Sequence, residues 1–213
     1  MDYKKVNAYI EGLYTKKKQF QKQYLQDTEL EEYGQVIDDD VARMLQVLIL
    51  SARPQRVLEI GTSVGYSTVM MANAIKQYGG KITTIELDEE TARQARINFE
   101  RQGVDELIEI IVGDARTIVA GMRQKFDFIF QDVGEKSLYV KMIDDYLALL
   151  NTGGILAAED VLFPVFDFND DDSYLKPMQK SLDMFNKKIS ECSQFESTLL
   201  PIGDGLIVAV KKY

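Results

Sequence analysis

Val57-Leu58-Glu59-Ile60-Gly61-Thr62-Ser63-Val64-Gly65-Tyr66-Ser67-Thr68 is the stretch that decides the fold. Its first four residues have the pattern of a short apolar strand, interrupted only by Glu59. Gly61 and Gly65 bracket a tight turn, and Tyr66 to Ile75 reads as the helix that follows, within a predicted helical span of 65–78. Strand, glycine-punctuated turn and helix make the first half of a nucleotide-type binding unit. The glycines let a ligand approach the backbone, and the free N–H groups of the helix start favour an anionic group. The spacing is Glu-x-Gly-x-Ser-x-Gly, with Ser63 where a middle glycine often sits. The bland alternative is a turn that serves packing alone.

Outward from this stretch the chain alternates. Strands are predicted at 57–61, 81–86, 107–112, 126–131 and 154–159, with helices at 65–78, 89–102, 115–123 and 137–150. Short apolar runs between amphipathic helices are the pattern of a parallel sheet covered on both faces. Gly79-Gly80, Gly103 and Gly153-Gly154 stand where helix-stopping glycines are expected. Beyond Asp160 the rhythm changes. Residues 163–174 read as a loop rich in aromatics and acids, a helix follows over about 174–192, and Phe195–Pro201 with Leu206–Lys211 flank Gly203-Asp204-Gly205 as a hairpin. Before the first strand, 1–35 reads as two polar helices. A better helix begins at Asp38, carries Val41, Met44, Leu45, Leu48 and Ile49, and ends at Pro54. The expectation is one domain over 1–213: a helical cap at 1–52 and a core at 53–213.

Composition narrows the chemistry. The 213 residues carry a net charge of −9, which argues against broad nucleic-acid binding, and Lys16, Lys17 and Lys18 read as a solvated helix face. There is no histidine, so Ser-His and Cys-His nucleophile schemes and His-bearing metal sites are excluded. A lone Cys192, no apolar run long enough to span a bilayer and no signal-peptide pattern at Met1 make the cytoplasm the expected compartment, with no membrane partner.

In open α/β sheets ligands bind at the carboxyl ends of the strands, and four of the five predicted strands end on or just before a carboxylate. Glu86 closes the second, 25 residues past Gly61, where a carboxylate can accept bonds from both ribose hydroxyls. Asp114 follows the third, where an adenine amino group could be held. Asp132 follows the fourth, and Glu159-Asp160 close the fifth. Each acid alone is commonplace in loops and helix caps; all of them on one rim is not.

The chain resembles the class I S-adenosylmethionine-dependent methyltransferases, specifically the small O-methyltransferases of the catechol and caffeoyl-CoA type. The resemblance spans about 33–212. It is carried by Leu58–Ser67, Thr84-Ile85-Glu86, Gly113-Asp114-Ala115, Phe126–Asp132, Gly153-Gly154-Ile155 through Phe163, and Leu200–Leu206. It implies a doubly wound, mostly parallel Rossmann-like sheet with a C-terminal antiparallel hairpin. It also implies cofactor roles: Glu59, Gly61, Thr62, Gly65 and Ser67 at the methionine and ribose end, Glu86 on the ribose, Asp114 with Ala115 on the adenine, and Ile37 from the N-terminal region. Asp132 would lie beside the sulfonium, where negative groups suit a cationic cofactor.

Asp132, Glu159 and Asp160 are then the implied metal ligands, an all-carboxylate set suited to Mg²⁺. The family usually has Asp-Asn where this chain has Glu159-Asp160, and a Lys three residues after the aspartate where Lys136 lies four on. That shift makes Lys136 read as a solvated surface lysine rather than a general base. The expected reaction is in-line attack of a small, catechol-like acceptor's hydroxyl on the cofactor methyl group, assisted by a divalent ion. Phe163, Phe166, Phe168 and Tyr174 are candidate acceptor contacts. A homodimer through the N-terminal helices is expected. The alternatives are a tRNA hydroxyuridine O-methyltransferase of the same family, a nicotinamide dehydrogenase and a non-catalytic cofactor-binding protein.

Overall fold

The computed structural model describes residues 3–15, 19–167 and 175–213, so Lys16, Lys17, Lys18, Phe168 and Tyr174 lie outside the described residues. Among the described residues, three helices precede the sheet: α1 (Tyr3–Leu13), α2 (Gln19–Gln26) and α3 (Asp39–Ala52). Then β1 (Arg56–Ile60), α4 (Tyr66–Ile75), β2 (Lys81–Glu86), α5 (Glu89–Gln102), β3 (Ile108–Val112), α6 (Ala115–Gly121) and β4 (Phe126–Gln131) follow in strict alternation. The chain continues through α7 (Ser137–Lys141), α8 (Ile143–Leu149), β5 (Leu150–Ala158), α9 (Lys176–Glu191), β6 (Phe195–Leu200) and β7 (Leu206–Lys211).

The strands form one sheet in the order β3-β2-β1-β4-β5-β7-β6. The first five are mutually parallel, and β7 runs antiparallel between β5 and β6. This is the expected doubly wound sheet closed by a hairpin. The strand order reverses between β1 and β4, so a crevice opens where the glycine turn after β1 faces Asp132 after β4.

Both faces of the sheet are covered, which is why its central strands read as near-continuous apolar runs. Val57, Phe128 and Phe130 pack with Leu45 and Ile49 of α3 and with α4. Leu58, Ile60 and Ile129 pack on the other side with Tyr139, Leu182 and Phe185. α4 is buried almost all round, because α3 covers the side that the sheet does not. Local signals set the helix ends: the Asp88 carboxylate accepts the Thr91 N–H at 2.7 Å to start α5, and Arg53 in the left-handed region ends α3 just before Pro54.

Two expectations are corrected. The single helix over 137–150 is two pieces, broken at Met142, with Leu138, Tyr139, Ile143 and Tyr146 all buried across the bend. Gly153-Gly154 do not stop a helix. They lie inside β5, which begins at Leu150, at the point where its register against β4 slips between Phe126 and Phe128.

Candidate active site

Gly61 has φ +93°, and a β-carbon there would stand 1.8 Å from the carbonyl oxygen of Asp132. The turn is tied on both sides: the Gly61 N–H donates to Ile85 O of β2 at 3.0 Å, and the Asp132 N–H after β4 to Ile60 O of β1 at 2.9 Å. Gly61 is therefore where the main chain of β4 presses on the turn after β1. Gly65 instead meets Phe99 and Tyr24, which pack the turn against α5 and the N-terminal region.

The turn also carries its own anion. Glu86 Oε2 accepts the N–H groups of Thr62 at 3.2 Å and Ser63 at 2.8 Å, and its Oε1 accepts the Asp88 N–H at 3.1 Å. Two amides of the glycine turn itself are thus engaged by the carboxylate at the end of β2. Beneath them Glu59 is wholly buried, and its carboxylate accepts the hydroxyls of Ser67 at 2.6 Å, Thr68 at 2.5 Å and Thr84 at 2.7 Å. Thr62 Oγ1 lies 2.6 Å from Thr84 Oγ1, so with Thr84 donating to Glu59, Thr62 donates to Thr84. Burial pushes the Glu59 carboxyl up to about 7, although the three hydroxyls pull it down. Glu59 meets these hydroxyls rather than open space, and it fixes the rotamers of Ser67 and, through Thr84, Thr62.

Asp132, Glu159 and Asp160 each offer a carboxylate oxygen within 4.8 Å of the others. Asp160 sits in the left-handed region at φ +66°, and Glu159 Oε1 accepts the Asp204 N–H at 3.1 Å. Burial first, then Asp160, holds the Glu159 carboxyl well above the ordinary carboxylate range. Asp132 is raised by burial, with Lys136 pulling it down and Asp160 and Asp204 pushing it up.

The surface reading of Lys136 is overturned. Its side chain is 6 % exposed, and its ammonium donates to Asp160 Oδ2, to Val133 O at 2.6 Å and to the Tyr139 hydroxyl at 3.4 Å. Asp132 Oδ1 stands 3.9 Å away. The extra residue after Asp132 makes Lys136 the N-cap of α7, and from there its side chain folds back over Val133 into the acidic rim.

The rim is braced from three directions. The main-chain N–H groups of Val161 and Leu162 donate to Gly205 O and Asp204 O in the β6–β7 turn, and the Gly203 N–H reaches Asp40 at 3.3 Å. Phe163 and Phe166 stack obliquely with ring centroids 5.4 Å apart, and Gln179 of α9 donates to both of their carbonyls.

Residues 14–212 match the family model described as "O-methyltransferase". The chain belongs to this family. As a class I S-adenosylmethionine-dependent O-methyltransferase, it is similar to the catechol O-methyltransferase of Niastella koreensis, 28% identical over 183 residues, covering 83% of this chain and 78% of that protein. It is also similar to the caffeoyl-CoA O-methyltransferase of Stellaria longipes, 25% identical over 183 residues, with 80% and 74% covered. Among solved structures, the SAH-bound methyltransferase PaMTH1 of Podospora anserina superposes with a TM-score of 0.74 at 25% identity, covering 84% of this chain and 80% of that one.

The remaining expected site residues of this methyltransferase are spread along the same edge. Asp114 caps α6 through the Arg116 N–H and pairs with the Arg116 guanidinium, which holds its carboxyl down at about 2; Ala115 begins that helix, half-buried. Ile37 is buried, and its carbonyl accepts Gln21 Nε2 at 2.8 Å. Thr84, Tyr139 and Asp204 were not expected at the site. Thr84 looked like an ordinary strand residue and Asp204 like a turn residue, and only the Gly203-Asp204-Gly205 pattern hinted at the latter. A cleft of about 540 Å³ lined by Gln55, Arg56, Lys81 and Gln124 lies at the opposite, amino end of the strands. Its position sets it apart from these groups.

The donor set of the rim fits a hard divalent ion. Three carboxylates on adjacent strand ends supply oxygen only, as Mg²⁺ prefers. Oxygens around one Mg²⁺ stand about 3 Å apart in cis, so small side-chain rotations close the 4.8 Å spread. Asp160 must then share or release Lys136.

Proposed function

We propose that this methyltransferase moves the methyl group of S-adenosylmethionine to a hydroxyl of a small, catechol-like acceptor, with a divalent ion held by Asp132, Glu159 and Asp160. The observation that carries this reading is the convergence of those three carboxylates with Lys136 beside the Gly61–Asp132 contact. The names of the catechol and caffeoyl-CoA relatives support the acceptor class.

In this reading Glu86 and Asp114 bind the ribose and adenine, while Thr62 and Ser67, held by the Glu59 network, line the methionine end with Ile37, Gly61, Gly65 and Ala115. The acceptor oxygen forms a bond to the methyl carbon as the carbon–sulfur bond breaks, the electron pair going to sulfur and leaving a neutral thioether. When bound, the ion supplies a Lewis acid and template for the acceptor hydroxyl. The hydroxyl proton is released to solvent, and the Lys136 ammonium, 3.9 Å from Asp132, adds positive charge beside the acceptor oxygen. Phe163 and Phe166 wall the acceptor side.

The test is a methyl-transfer screen of catechols and tRNA, with Mg²⁺ and after exhaustive chelation. Mg²⁺-dependent methylation of a catechol is expected. Methylation of tRNA alone would overturn the acceptor class, and full activity after chelation would overturn the metal.

We also infer a homodimer in the cytoplasm. Tyr9, Ile10 and Leu13 of α1 are exposed, as are Val47 and Leu50 of α3, and Arg43 of α3 stacks on Tyr14, just past the end of α1. A second copy covers this face. A monomer by sedimentation at micromolar concentration would overturn that reading.

A further inference from the structure

The shifted lysine has a consequence for how the rim takes a cation. Two of the three proposed ligands, Asp160 and Asp132, already face an ammonium that the chain itself carries, and Asp160 is bonded to it. Lys136 is nearly as buried as Glu159, so water does little to screen it from the carboxylates. An ammonium on Asp160 and a dication on the same carboxylate would repel each other at close range. Yet Lys136 need not leave the rim when it gives up Asp160, because Val133 O and the Tyr139 hydroxyl remain as acceptors and the Tyr139 ring lies 5.1 Å from Nζ.

We propose that Lys136 is a tethered counter-ion that competes with a divalent ion for Asp160, so that occupancy of the rim and withdrawal of Lys136 toward Val133 and Tyr139 are one coupled event. This rests on the reading that the rim takes a divalent ion. The coupling is reciprocal by thermodynamic necessity: whatever holds Lys136 on Asp160 weakens metal binding by the same factor that the metal weakens the ion pair. It also orders the site, since Lys136 leaves its carboxylate partner only when another cation has arrived.

The test reads metal binding directly, without methyl transfer. Mn²⁺ binding by electron paramagnetic resonance and Mg²⁺ binding by calorimetry are compared for wild type, Lys136→Met and Lys136→Arg. The methionine variant should bind at least tenfold more tightly, while the arginine variant, which keeps the charge, should stay close to wild type. In the wild type, Mg²⁺ should also shift the ¹⁵N resonance of Lys136 Nζ, a readout that stands even if a variant folds poorly. Equal or weaker binding by Lys136→Met, or an unmoved Nζ resonance at saturating Mg²⁺, would overturn the competition while leaving the metal site intact. If neither wild type nor variant binds either ion, the competition and the metal reading fail together. Catechol methylation after chelation then decides the transfer reaction separately.

Discussion

Gly61→Ala tests whether the contact between β1 and β4 sets the site. Two costs can be separated. The first is backbone: at φ +93° an alanine is strained by roughly 1–2 kcal/mol. The second is contact: the new methyl group would begin 1.8 Å from Asp132 O and must reach at least 3.0 Å, so about 1.2 Å of main-chain movement is needed. That movement pulls on the Asp132–Ile60 hydrogen bond, worth about 1 kcal/mol, and overpacks a close junction at a typical cost of about 1–3 kcal/mol. Gly79 supplies the control. Its φ is +88°, nearly the same, but nothing lies within 4 Å of a β-carbon there. Gly79→Ala should therefore cost only the strain, roughly 1–2 kcal/mol, and Gly61→Ala roughly 3–6 kcal/mol, by urea denaturation. A displacement near 1 Å at Asp132 should also slow turnover by on the order of 10²-fold, against little change for Gly79→Ala. If the two variants lose the same stability and both keep wild-type turnover, the argument from close approach is wrong.

Two further outcomes follow from buried polar groups. Gln131 is fully buried at the end of β4, and among the described residues neither its Oε1 nor its Nε2 has a partner, so Gln131→Leu should raise stability by about 1–3 kcal/mol; a loss in urea midpoint would overturn this. Burial lifts the Glu59 carboxyl to about 7, so between the unfolded value near 4.5 and 7 the folded chain keeps a proton that the unfolded chain has lost, and stability falls as pH rises. Relative to Glu59→Gln, which cannot titrate, wild type should lose on the order of 3 kcal/mol between pH 4.5 and 7.5, and a pH-independent difference would refute the buried acid.

The alternation and the carboxylates at the strand ends were legible in the sequence because each is written in side chains. Glu86, Asp132, Glu159 and Asp160 all reach the carboxyl edge that their strand positions imply. What Glu86 binds was not legible, since its partners are the main-chain N–H groups of Thr62, Ser63 and Asp88, which no residue type announces. Lys136 was misread because spacing along the chain was used where the direction of a helix start decides. The four-residue interval looked like a departure, yet as the N-cap of α7 it aims Nζ at Asp160. Gly153 misled for a related reason: a glycine after an amphipathic run resembles a helix stop, and only the pairing of Leu150 with Phe126 and of Ile155 with Phe128 places it inside a strand.

The position of β7 sets an order on synthesis. It lies between β5 and β6, and its turn supplies the amide that reaches Glu159 and the carbonyls that hold Val161 and Leu162. While the chain emerges from the ribosome, β5 is an unpaired edge, and β6 has no neighbour to join until Leu206–Lys211 is free. The acidic rim therefore closes last, through contacts such as Gly203 to Asp40 that span most of the chain. A nascent chain halted before β7 would carry every proposed cofactor and metal residue and still lack the strand that seats, against β5, the turn holding Glu159.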